Sequence, residues 1–300
     1  MEPLSWLIIL SAAMFIGSYI AGSLPLAVQL SQKKVHLLSS FGGGMLIGTC
    51  LVVVIPEGVE AIYKSTLQVN NTGQQHPQKR DPSVGSDGHA AMGIALIVGF
   101  ALMFIIDQLN SQVTKPSMNG QEYSELEVIS GERERERDSE QHRHDTSTAS
   151  VTGLLIHAAA DGIALGASVT RPELSVIVFL AIILHKAPAA FGLTSLLLNS
   201  GLTKTSIQKY LILFALAAPT GSILTYLILG LFSSNVTSTD IEYFSGLLLV
   251  FSGGTFLFVA MHALQEASHS KPSEVHRPTQ LLITLVGMLI PTTLNIMHNH

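Results

Sequence analysis

The sequence predicts an all-α polytopic membrane protein, and three observations carry that prediction. Of 300 residues, 47% are hydrophobic and only 12% charged, giving a mean hydropathy of +0.43, a balance that an ordinary water-soluble core does not require. Eight windows of about 20 apolar residues, the length that crosses roughly 30 Å of hydrocarbon as a helix, punctuate the chain. Lysine and arginine gather in alternate loops, as the positive-inside rule requires of a threaded helix bundle.

The eight windows fall near 4–28, 36–56, 90–108, 151–169, 175–198, 209–231, 242–264 and 279–297. The first follows Glu2 rather than a basic leader, is longer than the apolar stretch of a signal peptide, and precedes Lys33 and Lys34. It is therefore read as an uncleaved span. With the N-terminus outside, the cytoplasmic loops hold Lys33, Lys34, Lys115, Arg133, Arg135, Arg137, Arg143, Lys204, Lys209, Lys271 and Arg277, against Lys64, Lys79, Arg80 and Arg171 on the other side. Eleven against four predicts that both termini are extracellular or lumenal. In that topology the two N-glycosylation sequons, at Asn70 and Asn235, lie on the non-cytoplasmic side.

Two segments are polar. Residues 65–89 read as a non-cytoplasmic loop, and 109–150 as a cytoplasmic, largely disordered loop between the third and fourth spans. Its mixed-charge run from Glu132 to Asp138 offers too little apolar surface to offset chain entropy. The simplest reading of that loop is a solvated linker, beside which His142, His144 and Asp145 form a weak metal-capture cluster. The lone Cys50 excludes an intrachain disulfide, and the lack of a broad basic patch argues against nucleic acid.

The chemistry lies in the fourth and fifth spans. His157 and Asp161 stand four residues apart in a small, apolar run, so they share one helix face about 6 Å apart. Asp161 lies ten residues after the start of its span at 151, and His185 ten after the start of the next at 175. At 1.5 Å per residue both sit at a depth of about 15 Å, in neighbouring antiparallel helices. A single polar pair would simply fix helix packing; three ionisable groups at one depth indicate an ion pathway. Imidazole and carboxylate together suggest a divalent transition metal, most simply Zn2+.

Backbone features point to the same place. Pro188 leaves the carbonyl of Leu184 without its helical donor, and Pro219 does so for Ala215, so both are expected helix-break positions. Ala158, Ala159, Ala160, Gly162, Gly166 and Ala167 permit close helix approach. Lys186, beside His185, has three readings: it repels a second cation, neutralises Asp161, or snorkels. The first is favoured, making it a modulator of the site.

The eight spans, the long loop after the third, the string His157-Ala-Ala-Ala-Asp161-Gly162 and the string His185-Lys186-Ala-Pro188-Ala resemble the ZIP (Zrt-/Irt-like) metal transporters, and within them the zinc transporter nine branch. The resemblance covers the spans but not the loops. It implies a single ZIP transporter membrane domain over 1–300, zinc moving toward the cytosol, and metal held by the fourth and fifth spans. Many relatives carry His-Asn then Pro-Glu in the fourth span and a further Glu in the fifth, forming a two-metal centre. Here those positions hold Ala158, Asp161 and Ala189, which puts the second metal in doubt.

The family's Pro-Glu in the second span appears as Pro56-Glu57, with Val53 at the preceding His position. In the seventh, Met261-His262-Ala-Leu-Gln265-Glu266 resembles a His-x-x-Pro-Glu pattern with Gln in place of Pro. The expected path runs from Glu57 at the outer end of the second span, through His157, Asp161 and His185, to His262 and Glu266 at the cytoplasmic end of the seventh.

The expected function is Zn2+ transport from lumen or outside into the cytosol by alternating access, with Zn2+ as substrate and no organic cofactor. Metal ligands must be deprotonated, so uptake should fall as pH drops through the histidine range. The expected partners are Zn2+ and other divalent metals, the lipid bilayer and a second copy in a homodimer. The resemblance implies the Golgi or trans-Golgi network and the plasma membrane. An enzyme is not expected, because an intramembrane zinc hydrolase needs His-Glu-x-x-His and this string carries Lys186 and Ala189 instead. The alternative is a membrane steroid (androgen) receptor or metal sensor, a class that needs no flux.

Overall fold

Long apolar runs leave each backbone amide no solvent partner but its own helix, and the molecule is built accordingly. The computed structural model describes residues 3–27, 31–72, 82–113, 151–169, 172–232, 238–269 and 277–298, which hold no strand. The helices are α1 (Pro3–Ala27), α2 (Gln32–Thr49), α3 (Ile55–Thr72), α4 (Pro82–Val113), α5 (Val151–Ser168), α6 (Pro172–Asn199), α7 (Lys204–Phe232), α8 (Ser238–His269) and α9 (Arg277–His298). A five-residue π-helical turn, Cys50–Val54, joins α2 and α3 into one span reaching from Gln32 to Tyr63.

Counting α2 and α3 as one, seven spans among the described residues are long and apolar enough to cross a bilayer. The eighth expected span is α9, a 22-residue helix packed along α2. The protein is thus an all-helical polytopic bundle in which the expected spans appear in order.

The helix boundaries differ from the apolar windows around the first polar segment. The second span continues past 56, and its helix runs to Thr72, because an amphipathic helix can extend beyond hydrocarbon once one face is polar. Helix therefore occupies 65–72 and 82–89 of the segment read as a loop, and 73–81 lies outside the described residues. On the other side α4 ends at Val113, and 114–150, with His142, His144 and Asp145, lies outside the described residues. So does Asn235, and the side chains of Asn70 and Glu266 are likewise not described.

The prolines also differ from expectation. Neither Pro188 nor Pro219 breaks its helix: α6 and α7 run continuously through them. A proline removes one backbone hydrogen bond, and in a tightly packed bundle neighbouring groups can absorb that loss. The wide turn occurs instead just before Pro56, whose ring nitrogen has no proton to donate back along the helix. There the amide of Ile55 reaches back five residues to the carbonyl of Cys50.

Lipid gives helices no hydrophobic reason to associate, so close backbone contact must hold the bundle. α5 packs closely on α7. A Cβ on Gly162 would strike the Ala218 carbonyl of α7, and one on Gly166 the Ser222 carbonyl. Gly99 of α4 packs on the Phe251 carbonyl of α8, and Gly254 of α8 on the Leu96 carbonyl of α4. α1 lies against α6 and α7, while α2 touches α6, α8 and α9. Ile8, Ile16, Ile97, Leu224 and Leu282 project outward as the surface suited to lipid.

Candidate metal centre

α5, α6 and α8 bring the central side chains together, and α3 supplies one more. His157 and Asp161 are one helical turn apart on α5, and both are completely buried. The Nε2 of His157 lies 3.4 Å from Oδ2 of Asp161. From α6, the Nε2 of the buried His185 lies 3.2 Å from the same oxygen. One ligand atom from each of the three can be chosen so that all lie within 4.8 Å of one another.

These separations can be compared with a metal's requirements. Tetrahedral Zn2+ with bonds of about 2.0–2.2 Å to imidazole nitrogen and carboxylate oxygen sets neighbouring ligand atoms about 3.4 Å apart. The two edges to Asp161, 3.4 and 3.2 Å, match that spacing, and the third lies within 4.8 Å. Three protein ligands leave a fourth position for water, and two imidazoles with one carboxylate hold zinc less firmly than thiolates do.

The outer edge of the His157 ring is hydrogen-bonded, and that of His185 has a carboxylate nearby. His157 Nδ1 donates to the Ser252 carbonyl at 3.3 Å and meets the Ser252 hydroxyl as well. That hydroxyl donates to Oδ1 of Asp161 at 3.0 Å. The His157 ring stacks on Phe256, with centroids 4.5 Å apart and planes 15° apart. His185 Nδ1 faces Oε2 of Glu57 at 3.8 Å.

Glu57 therefore lies inside the second span beside the cluster, and not at the end of that span. Because the helix continues to Tyr63 and beyond, the carboxylate is carried back within reach of α6. His262 is elsewhere: it stacks on Phe258, with centroids 5.9 Å apart, and lies ten residues, about 15 Å, along α8 from Ser252.

Lys186 does not snorkel. Its side chain is fully buried, and Nζ lies 4.6 Å from the ring centre of Phe214 on α7 without a hydrogen-bond acceptor. The aromatic face offsets part of the cost of burying an ammonium group. Ala158 and Ala189 are also buried, and neither can ligate a metal.

Ser252 was not legible in the sequence. It sits in Phe251-Ser252-Gly253-Gly254-Thr255, and a serine beside glycines in a spanning helix ordinarily signals only close packing. The glycines do hold α8 in place: Gly254 packs on α4, and the Cys50 thiol reaches the Gly253 carbonyl at 3.4 Å.

An all-helical membrane bundle with a buried His/Asp/His cluster of zinc-like spacing defines a polytopic membrane protein equipped to handle a divalent metal. The family model described as ZIP Zinc transporter matches residues 4–295, and the chain belongs to that family. It is 39% identical to Zinc transporter ZIP9 of Xenopus tropicalis over 324 aligned positions, covering 100% of both chains. It is also 39% identical to Zinc transporter ZIP9 of Micropogonias undulatus over 332, again covering both fully. Zinc transporter ZIP1 of Homo sapiens is more distant, 24% identical with 88% of this chain and 78% of that protein covered.

Proposed function

We propose that the protein carries Zn2+ from the lumen or outside into the cytosol by alternating access, with His157, Asp161 and His185 as the ligands of a single transported ion. The observation that carries this reading is the convergence of His157 Nε2, Asp161 Oδ2 and His185 Nε2 at zinc-like separations in a fully buried site. The substrate arrives hydrated and exchanges water for these three groups. Binding replaces the proton by which His185 Nε2 bridges to Asp161; that proton passes to His185 Nδ1, on the side of Glu57, or leaves with the displaced water, and the ligand positions are otherwise nearly preformed.

Glu57 is the carboxylate on the outer side of the cluster, and His262 with Glu266 forms the inner mouth. Lys186 limits the site to one cation, because a buried ammonium next to His185 repels a second ion where relatives place further ligands. The N-terminus and C-terminus face outside or the lumen, in the Golgi and at the cell surface.

The test is Zn2+ flux into proteoliposomes, comparing the natural chain with Asp161→Ala and His157→Ala at matched insertion. Flux in the natural chain that falls to background in both variants supports the reading. A folded, zinc-binding natural chain that moves no zinc overturns it, and a receptor or sensor then takes its place.

A further inference from the structure

We propose that Ser252 is a positioning residue for the metal site: its carbonyl and hydroxyl together hold His157 in the Nδ1–H form and turn the ligating Nε2 and Asp161 Oδ2 toward the ion. The inference rests on the transport reading, in which His157 and Asp161 are ligands.

The argument starts from what each atom can do. A carbonyl oxygen only accepts hydrogen bonds, so the contact between His157 Nδ1 and the Ser252 carbonyl at 3.3 Å requires a proton on Nδ1. In the neutral imidazole Nε2 then carries a lone pair, and that nitrogen has no hydrogen-bond partner although it is buried. It is also the nitrogen that points at Asp161. With Nδ1 donating, the Ser252 hydroxyl accepts from the ring and spends its single proton on Asp161 Oδ1 at 3.0 Å. One oxygen of Asp161 is thereby occupied, and the other is left for the metal. A single residue thus aims two ligands.

Most buried hydroxyls here behave differently. Ser18 bonds the carbonyl of Met14, Thr194 that of Ala190, Ser195 that of Phe191 and Thr255 that of Ser252, each within its own helix. Such local bonding is the default for serine and threonine in helices. The hydroxyl of Ser252 instead crosses from α8 to two side chains on α5, at sequence separations of 95 and 91 residues. Outer groups that orient metal-binding histidines in this way usually matter to affinity by a factor of about 10–100.

The experiment uses the full-length protein in detergent, with Zn2+ affinity and the visible spectrum of bound Co2+ measured for the natural chain, Ser252→Ala, Ser252→Thr and Asp161→Ala. Ser252→Ala is expected to bind Zn2+ about 10–100-fold more weakly and to shift the Co2+ bands, with Ser252→Thr restoring both. Wild-type affinity and an unchanged Co2+ spectrum in folded Ser252→Ala overturn the inference. If Asp161→Ala also binds as the natural chain does, the metal-site reading itself fails; if Asp161→Ala alone loses binding, only the role of Ser252 fails. Independently of any Ser252 variant, nitrogen-15 shifts of labelled histidines, with His157 assigned by difference from His157→Gln, should report the Nδ1–H form in the metal-free natural chain. An Nε2–H signal for His157 overturns the inference.

Discussion

His185 Nε2 lies 3.2 Å from Asp161 Oδ2, and this one contact joins the fourth and fifth spans at a point from which water is excluded. In the absence of metal it is a hydrogen bond between neighbouring helices. On the proposed transport reading, the same two atoms would hold the zinc. Replacing Asp161 by Asn keeps the shape and removes the charge, so the helices should remain packed while zinc is held far more weakly. Thermal unfolding of Asp161→Asn close to that of the natural chain, with Zn2+ uptake at background, is the expected pair of results.

Glu57 faces the opposite edge of the same imidazole at 3.8 Å. A carboxylate behind a metal-binding histidine raises its basicity and fixes its orientation. Glu57→Gln should therefore raise the half-saturating Zn2+ concentration of uptake by about 10-fold or more. A carboxylate that acted only in drawing cations to the outer mouth would lose its effect in high salt. Uptake measured at low and high ionic strength separates the two roles.

Lys186 offers a test of metal number. Its ammonium lies buried over Phe214, in the part of the bundle where Ala158 and Ala189 provide no ligands. Lys186→Asp exchanges a repelling charge for a ligand, and bound zinc per chain, counted by elemental analysis, should rise from one toward two. Lys186→Met should leave the count at one while raising thermal stability, since it removes a buried charge that has no hydrogen-bond acceptor.

The packing of α5 on α7 predicts a contrast between glycines. Gly162→Val should destabilise the bundle by at least about 1–3 kcal/mol, the usual cost of overpacking, because the added atoms meet the Ala218 backbone, which cannot rotate away. Gly93→Ala on α4, with open space at the same position, should be neutral or slightly stabilising. Thermal aggregation midpoints in detergent measure both.

How much of this was legible beforehand differs by residue. The spans and the shared face of His157 and Asp161 follow from local rules: about 20 apolar residues cross a bilayer, and i,i+4 side chains are neighbours on any helix. The matched depth of His185 follows from counting along an antiparallel pair. The sequence by itself determined those features, because hydropathy and helical rise act along the chain.

The tertiary structure decided which side chains from other helices reach the cluster. α6 and α8 are apolar nearly all round, so no amphipathic stripe indicates which face turns inward. That rotation is set by glycine contacts such as Gly254 on Leu96 and by the wide turn at Cys50–Val54, both of which act between helices. They bring Ser252 against His157 and Glu57 against His185. A bond across 95 residues has no local signature, and only the packed bundle could reveal it.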